Sequence, residues 1–210
     1  MISGCGPHQQ HLACGVDLAW QSMLAGTTPV GAVVTDAQGT IVTTGRGRVY
    51  EREAVAGQLS FSHLAHAELN AVAQLPPTHR YEQHVVHTTL EPCVLCVGSA
   101  ITATAGRIEY ASADPYAGAA HLLLDNMHAR RLMPQIGGPA TGLAGQLGAL
   151  LHFAFYFERN PTGVVVQAYR RAQARLIEHS EESGMVAQLI DLRHRRADLE
   201  AVLQLVGGAA

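Results

Sequence analysis

The segment Val85–Cys96 has the sequence VVHTTLEPCVLC and joins a short apolar run to a pair of cysteines. Its first five residues, 85–89, are rich in β-branched side chains and predict a strand. Glu91 and Pro92 predict that a helix follows directly, over residues 91–104, because proline suits the first helical position. A strand that leads straight into a helix is typical of layered α/β folds.

Strands and helices alternate on both sides of this segment. Apolar spacing predicts helices over 11–25, 65–75 and 117–130, and strands over 30–34, 40–44, 107–111 and 131–136. The turn signal at 36–39 makes the first two strands an antiparallel hairpin, whereas helical crossovers make the later strands parallel. We therefore expect an α/β fold, a three-layer α-β-α sandwich around a mixed five-stranded sheet.

Gly137-Gly138-Pro139 marks a boundary in the chain. Beyond it only helices are predicted, so we divide the chain into a first domain, residues 1–138, and a helical C-terminal extension, residues 139–210. Several apolar residues of the extension follow a 4-3 rhythm: Met185, Leu189, Leu192, Leu199 and Leu203. Such a rhythm fits either a helix packed on its own domain or a contact between two copies of the chain.

The amino-acid composition limits the kinds of partner that this protein is expected to bind. Of the 210 residues 15% are charged, lysine is absent, and the formal net charge is -3. The chain therefore has no excess of positive charge with which to attract a polyanion, so nucleic acid is not the favoured partner. Four cysteines in a chain of this size do not indicate a disulfide scaffold. Neither a leader peptide nor a membrane-spanning apolar run is evident, which predicts a cytoplasmic protein without a membrane partner.

Two short motifs carry the chemistry. His66-Ala67-Glu68 opens one predicted helix, and Cys93 and Cys96 lie three residues apart, on one face of the next. The first turn of a helix lowers the pKa of a cysteine, and the thiolate is the form that binds zinc. With His66 the two cysteines supply three ligands and leave a fourth tetrahedral position for water, as in catalytic zinc sites. A redox-active dithiol is the alternative for an isolated C-x-x-C pair.

Glu68 follows His66 by two residues and is not needed as a ligand. A carboxylate there can take a proton from the water that zinc activates, deliver it to a ring nitrogen and then protonate the leaving ammonia. The ordered pair H-x-E and P-C-x-x-C is the signature of zinc deaminases that act on cytosine and adenine. The alternative for Glu68 is a carboxylate that only stabilises the start of a helix.

At these motifs the chain resembles the cytidine deaminase-like superfamily, and within it the branch of tRNA adenosine, guanine and cytosine deaminases. The resemblance runs from about residue 12 to 136 and rests on four segments: PVGAVV at 29–34, HAE at 66–68, TLEPCVLC at 89–96 and SADPYAGAA at 112–120. It implies Zn²⁺ held by His66, Cys93 and Cys96, with Glu68 as the proton shuttle. It also implies that six residues contact the substrate: Val30, Gly47, Ala67, Pro92, Asp114 and Tyr116.

The positions around the expected substrate depart from the family in two ways. Gly47 stands where the family usually has an asparagine after the second strand, and the loop over 50–63 is longer than in short relatives. Asp114 is either a contact to the ring edge or the turn residue before Pro115. Tyr116 either lines the pocket or packs against its neighbours. The substrates of the family therefore do not transfer directly to this chain.

Three hypotheses of function remain open. The first is a zinc-dependent hydrolytic deaminase of a small nucleobase, nucleoside or related amino-heterocycle. The second is a tRNA adenosine deaminase, which converts adenosine to inosine, although the charge balance speaks against RNA. The third is a non-catalytic, zinc-bearing interaction module. The resemblance further implies an oligomer, and we predict a homodimer.

Overall fold

The sheet decides the architecture. The computed structural model describes residues 7–121 and 127–208 of the chain. Five strands form one sheet in the order β2-β1-β3-β4-β5: β1 Gly31–Thr35, β2 Ile41–Arg46, β3 Val85–Leu90, β4 Arg107–Ser112 and β5 Gln135–Gly137. β1 is antiparallel to β2 and β3, whereas β3, β4 and β5 are parallel to one another. The mixed five-stranded sheet is confirmed.

Helices cover both faces of the sheet. In the described residues up to 132 they are α1 Pro7–Leu24, α2 Ala67–Val72, α3 Val94–Thr102 and α4 Met127–Leu132. After β5 come α5 Leu143–Arg159, α6 Val164–Ala172, α7 Ala174–Glu182, α8 Met185–His194 and α9 Leu199–Gly207. α2 packs on β1, β2 and α3, whereas α1 and α5 pack on each other and on the sheet. Two separate apolar cores result, one for each face, and the three-layer fold is confirmed.

Some predicted elements differ from those observed. α3 begins at Val94, and Cys93 is its N-cap, so Pro92 is not the first helical residue. The reason is that the preceding chain is tied to the end of β4: Glu91 donates its N–H to the Ser112 carbonyl at 2.7 Å. The helix predicted over 117–130 is also wrong in its first part, because residues 117–121 form turns and irregular chain; residues 122–126 lie outside the described ranges, and α4 begins at Met127. Since α4 continues to Leu132, the strand predicted over 131–136 is wrong in its first part, and β5 spans Gln135–Gly137.

The C-terminal helices pack directly on the sheet. α5 contacts β3, β4 and α1. The approach is closest at Gly148, where a Cβ would lie 2.2 Å from the carbonyl oxygen of Thr89. Trp20 of α1 is buried in the same apolar core and donates its indole N–H to the Ala197 carbonyl at 2.9 Å. Among the described residues the strands all precede residue 138, whereas α1, from before this position, and α5, from after it, share one layer.

The 4-3 rhythm of the C-terminal leucines belongs to two helices. The chain turns between α8 and α9, where Arg196 has a φ of 54°. Met185 and Leu189 are buried, and the other three residues pack against the same core. These positions therefore pack within their own chain, which is the first of the two alternatives that the sequence left open. No helix among residues 7–121 and 127–208 is long and apolar enough to cross a membrane.

Candidate active site

Three ligand atoms meet at the starts of two helices. His66 directly precedes α2, Cys93 caps α3, and Cys96 lies in the first turn of α3. Nδ1 of His66 lies 3.5 Å from Sγ of Cys93 and 3.4 Å from Sγ of Cys96, and the two sulfurs are 3.5 Å apart. All three atoms lie within 4.8 Å of one another. One imidazole and two thiols in this arrangement fit a tetrahedral zinc ion with one position left open.

The two cysteines differ in their charge state. The hydrogen bond between the two sulfurs, followed by the bond to His66, lowers the pKa of Cys93 to about 4. The pKa of Cys96 is raised by the same hydrogen bond and by burial. Cys93 is thus held as the thiolate, which is the form that binds a metal ion.

Glu68 lies beside the ligand atoms and is only 4% exposed. Its Oε1 accepts a hydrogen bond from the Thr88 hydroxyl at 2.8 Å, and its Oε2 accepts one from the Cys96 thiol at 3.2 Å. Burial raises the pKa of Glu68. The structure therefore places a carboxylate next to the metal position and fixes its orientation through β3. Thr88 is a contact that sequence reasoning missed.

A cavity of about 220 Å³ opens onto these groups. Besides the ligands and Glu68, five of the six predicted substrate contacts line it: Val30, Gly47, Ala67, Asp114 and Tyr116. Pro92 does not line the cavity, and its carbonyl accepts a hydrogen bond from the Ala119 N–H at 3.0 Å. The cavity thus brings together residues from several separate parts of the chain.

Gly47 allows two loops to lie against each other. A Cβ at this position would lie 2.2 Å from the Thr28 carbonyl oxygen. The N–H of Gly47 also donates to the Val30 carbonyl at 2.8 Å. This backbone therefore has no room for the asparagine that is usual in the family. The hydroxyl of Thr28 is hydrogen-bonded to that of Tyr156, which α5 brings to the cavity.

Asp114 acts as a turn residue and as part of the cavity wall. Its Oδ1 accepts hydrogen bonds from the N–H groups of Tyr116 at 2.9 Å and Ala117 at 3.1 Å. Its own N–H donates to Oε2 of Glu91 at 3.3 Å. Both alternatives from the sequence are therefore compatible with the structure. Glu91 is a further residue that was missed, and it fixes the position of Asp114.

The C-terminal helices supply part of the wall. His152 and Tyr156 of α5 and Val165 of α6 line the cavity, as do Tyr50 and His63 of the loop after β2. Sequence reasoning missed these residues. A signal existed for the first two: they are polar residues four apart in an apolar run, which places them on one face of a helix.

Asn70 anchors the loop that carries Tyr50 and His63. It is fully buried, and its Oδ1 accepts a hydrogen bond from the Leu59 N–H at 2.7 Å. Its Nδ2 donates to the carbonyls of Arg46 and Leu59, both at 3.1 Å. The long loop is thereby tied to α2, the helix that begins beside His66.

Known proteins share parts of this chain. The tRNA(Ile)-lysidine synthase of Deinococcus radiodurans is 38% identical over 146 residues, which is 65% of this chain and 23% of that protein. The enzyme of the same name from Deinococcus deserti is 36% identical over 106 residues, 49% of this chain and 18% of that protein. The chain thus spans less than a quarter of the length of these curated relatives.

Solved structures share the fold. A tRNA:A34 deaminase has a TM-score of 0.53 at 20% identity and covers 63% of this chain and 98% of its own. The guanine deaminase of Nitrosomonas europaea has a TM-score of 0.52 at 19% identity, covering 72% and 85%. Identities this low show the fold alone.

The family is shown by a sequence profile. Residues 6–112, just over half of the chain, match the cytidine and deoxycytidylate deaminase zinc-binding region. The matched part contains His66, Cys93 and Cys96, whose geometry fits the zinc that gives the region its name. The chain therefore belongs to the cytidine and deoxycytidylate deaminase family.

Proposed function

We propose that this chain is a zinc-dependent hydrolytic deaminase, which removes the exocyclic amino group from a small nucleobase, nucleoside or related amino-heterocycle. The observation that carries the proposal is the position of Glu68, buried beside the ligand atoms where a cavity of about 220 Å³ opens. Pockets for drug-sized ligands measure about 300–1,000 Å³, so this one fits a compact ring.

The chain's own residues perform the proton transfers. His66, Cys93 and Cys96 would hold Zn²⁺, which when bound lowers the pKa of a coordinated water to about 7. Glu68 accepts a proton from the attacking water and passes it to a ring nitrogen. It then takes the second proton of that water, from the hydroxyl now on the ring carbon, and delivers it to the amine, which leaves as ammonia while the ring carbonyl forms. The hydrogen bond from Thr88 holds Oε1 in place while Glu68 changes its charge.

The walls of the cavity keep water away from this chemistry. Tyr156 and Val165 line it from the C-terminal helices, and Tyr50 lines it from the loop after β2. A site with little water strengthens every electrostatic interaction inside it. A zinc-bearing module without catalysis has no use for the buried carboxylate of Glu68.

The test compares Glu68→Gln with Glu82→Gln. Gln has the shape of Glu but cannot carry a proton, so we expect the first variant to release ammonia at least about 100-fold more slowly while it keeps its zinc. Glu82 is exposed and should tolerate the same change. The assay is ammonia release from cytosine, guanine, adenine and their nucleosides, with zinc measured in each protein. Absence of turnover of every ring by the unmodified protein would refute the proposal.

Deamination of adenosine in tRNA is the second candidate. The observation that favours it is the likeness to two enzymes named tRNA(Ile)-lysidine synthase. The net charge of -3 speaks against it, because phosphate contacts rely on clustered cations. Inosine formation in tRNA, with the salt dependence of tRNA binding in a gel shift, distinguishes this candidate from the first.

The homodimer and the cytoplasmic location stay predictions. Light scattering behind a size-exclusion column tests the first of these, and a single-chain mass at micromolar concentration would contradict it.

A further inference from the structure

One turn of α5 brings a buried histidine to the cavity. Gly148 lies against the end of β3, and His152 follows it by four residues on the same helix face. His152 is 6% exposed and lines the cavity together with Glu68 and Asp114. The proton transfers described above make no use of it.

A hydrogen bond fixes which nitrogen of His152 carries the proton. Nδ1 of His152 lies 3.0 Å from the hydroxyl of Tyr169, which is fully buried. Across residues 7–121 and 127–208, Nδ1 is the one acceptor within reach of this phenol. A buried hydroxyl without an acceptor is costly, so Tyr169 donates and Nδ1 accepts. The proton of the imidazole therefore lies on Nε2. Burial lowers the pKa of His152, which keeps the ring neutral.

Asp114 supplies the complementary group. Its Oδ1 is occupied by two backbone N–H groups, whereas its Oδ2 accepts nothing from the part of the chain that the structure describes. The carboxylate is close enough to His152 to act on it electrostatically. Nε2–H of His152 and Oδ2 of Asp114 are thus a donor and an acceptor among the groups that line the cavity.

We propose that His152 donates a hydrogen bond to a carbonyl oxygen of the substrate ring, and so restricts this deaminase to oxo-substituted amino-heterocycles. In such a ring a carbonyl acceptor stands next to an N–H donor, and this pair matches His152 and Asp114. Adenine has no carbonyl oxygen, so it offers no carbonyl acceptor to the Nε2–H of His152. The inference rests on the proposed small-ring function and names its substrate class.

Two ligand pairs test this contact directly. Cytosine and 4-aminopyrimidine differ by the carbonyl oxygen, and guanine and 2,6-diaminopurine differ by a carbonyl in place of an amino group. Calorimetry would measure their binding to the full, zinc-loaded chain carrying Glu68→Gln, which prevents turnover. We expect the oxo member of the better-bound pair to bind about 10- to 100-fold more tightly than its partner.

Variants at position 152 then assign the preference to the side chain. His152→Phe fills the space without a donor and should reduce the preference to less than 3-fold, whereas His152→Gln retains an N–H donor and should keep most of it. Tyr169→Phe should weaken the preference, because the imidazole proton is then free to move to Nδ1. His179→Phe, at an exposed histidine on α7, is the control.

The outcomes separate the two proposals. Equal binding within both pairs, tight binding of adenine alone, or an unchanged preference in His152→Phe overturns the inference. Ring binding with the expected preference, but no ammonia release when Glu68 is intact, overturns the proposed function and leaves the contact standing. Absence of binding by all five rings overturns both.

Discussion

Replacing Gly148 by alanine tests how closely α5 must lie against the sheet. The new Cβ would lie 2.2 Å from the Thr89 carbonyl oxygen and 2.9 Å from Cβ of Ser112. Ordinary contacts begin near 3.4 Å, so α5 must move by 3.4 minus 2.2, roughly 1 Å. Since the atom that it meets is backbone, no side chain can rotate away.

The energetic balance can be estimated from two opposing effects. Alanine is favoured over glycine inside a helix by about 1 kcal/mol, whereas overpacking costs up to about 3 kcal/mol. We therefore expect Gly148→Ala to lower the free energy of unfolding by about 2 kcal/mol, and the melting temperature by about 4–8 °C. Because His152 lies one turn away, the KM for an oxo-substituted ring should also rise.

Gly98→Ala is the matched control. Gly98 is also inside a helix, but a Cβ there would meet nothing within 4 Å. This variant should be as stable as the unmodified protein or more stable by up to about 1 kcal/mol. Urea unfolding of both zinc-loaded variants makes the comparison. If Gly148→Ala proved as stable as Gly98→Ala, with an unchanged KM, the close packing of α5 on β3 would be refuted.

Two further predictions concern buried polar groups. Asn70→Ala removes three hydrogen bonds to the loop after β2. In a urea titration it should lower the free energy of unfolding by about 2–4 kcal/mol, and turnover should fall because this loop lines the cavity. Unchanged stability would show that other contacts hold the loop. Burial lowers the pKa of His152 although Asp114 opposes the shift, and its other titratable neighbours, Tyr156 and Tyr169, are phenols held neutral. As the pH falls through the usual histidine range, the unfolded chain takes up a proton that the native chain does not, so stability falls. Between pH 7.5 and 5.5, His152→Gln should therefore lose less unfolding free energy than the unmodified protein, and equal losses would contradict the neutral imidazole.

The metal ligands could be predicted because their geometry is local. Cys93 and Cys96 lie three residues apart at a helix start, and any helix brings such a pair together. His66 lies before another helix, but its spacing to Glu68 identifies the motif. The strands could be predicted equally well, since the β-branched runs at 31–35 and 85–90 indicate strands from local sequence alone.

The walls of the cavity could not be predicted, because they depend on contacts between distant residues. His152 lies 56 positions after Cys96 along the chain, and no local sequence pattern shows where α5 packs on the sheet. The predicted start of α3 was wrong for a related reason. Proline at a helix start is a local preference, whereas the bond from Glu91 to Ser112 depends on the neighbouring strand.

The same distinction divides the chemistry of the site. The groups that move protons and bind metal come from the starts of α2 and α3, which rest on one face of the sheet. His152, to which we assign the choice of substrate, comes from α5, which rests on the other face. Both sets meet beyond the carboxyl end of β3, where Leu90 and Glu91 border the same cavity. A change in α5 can therefore alter which ring binds while Thr88, Glu68 and the ligands keep their positions, because the sheet lies between the two helix layers. This arrangement explains how the motifs of the family stay intact in a chain whose Gly47 and C-terminal helices depart from the family pattern.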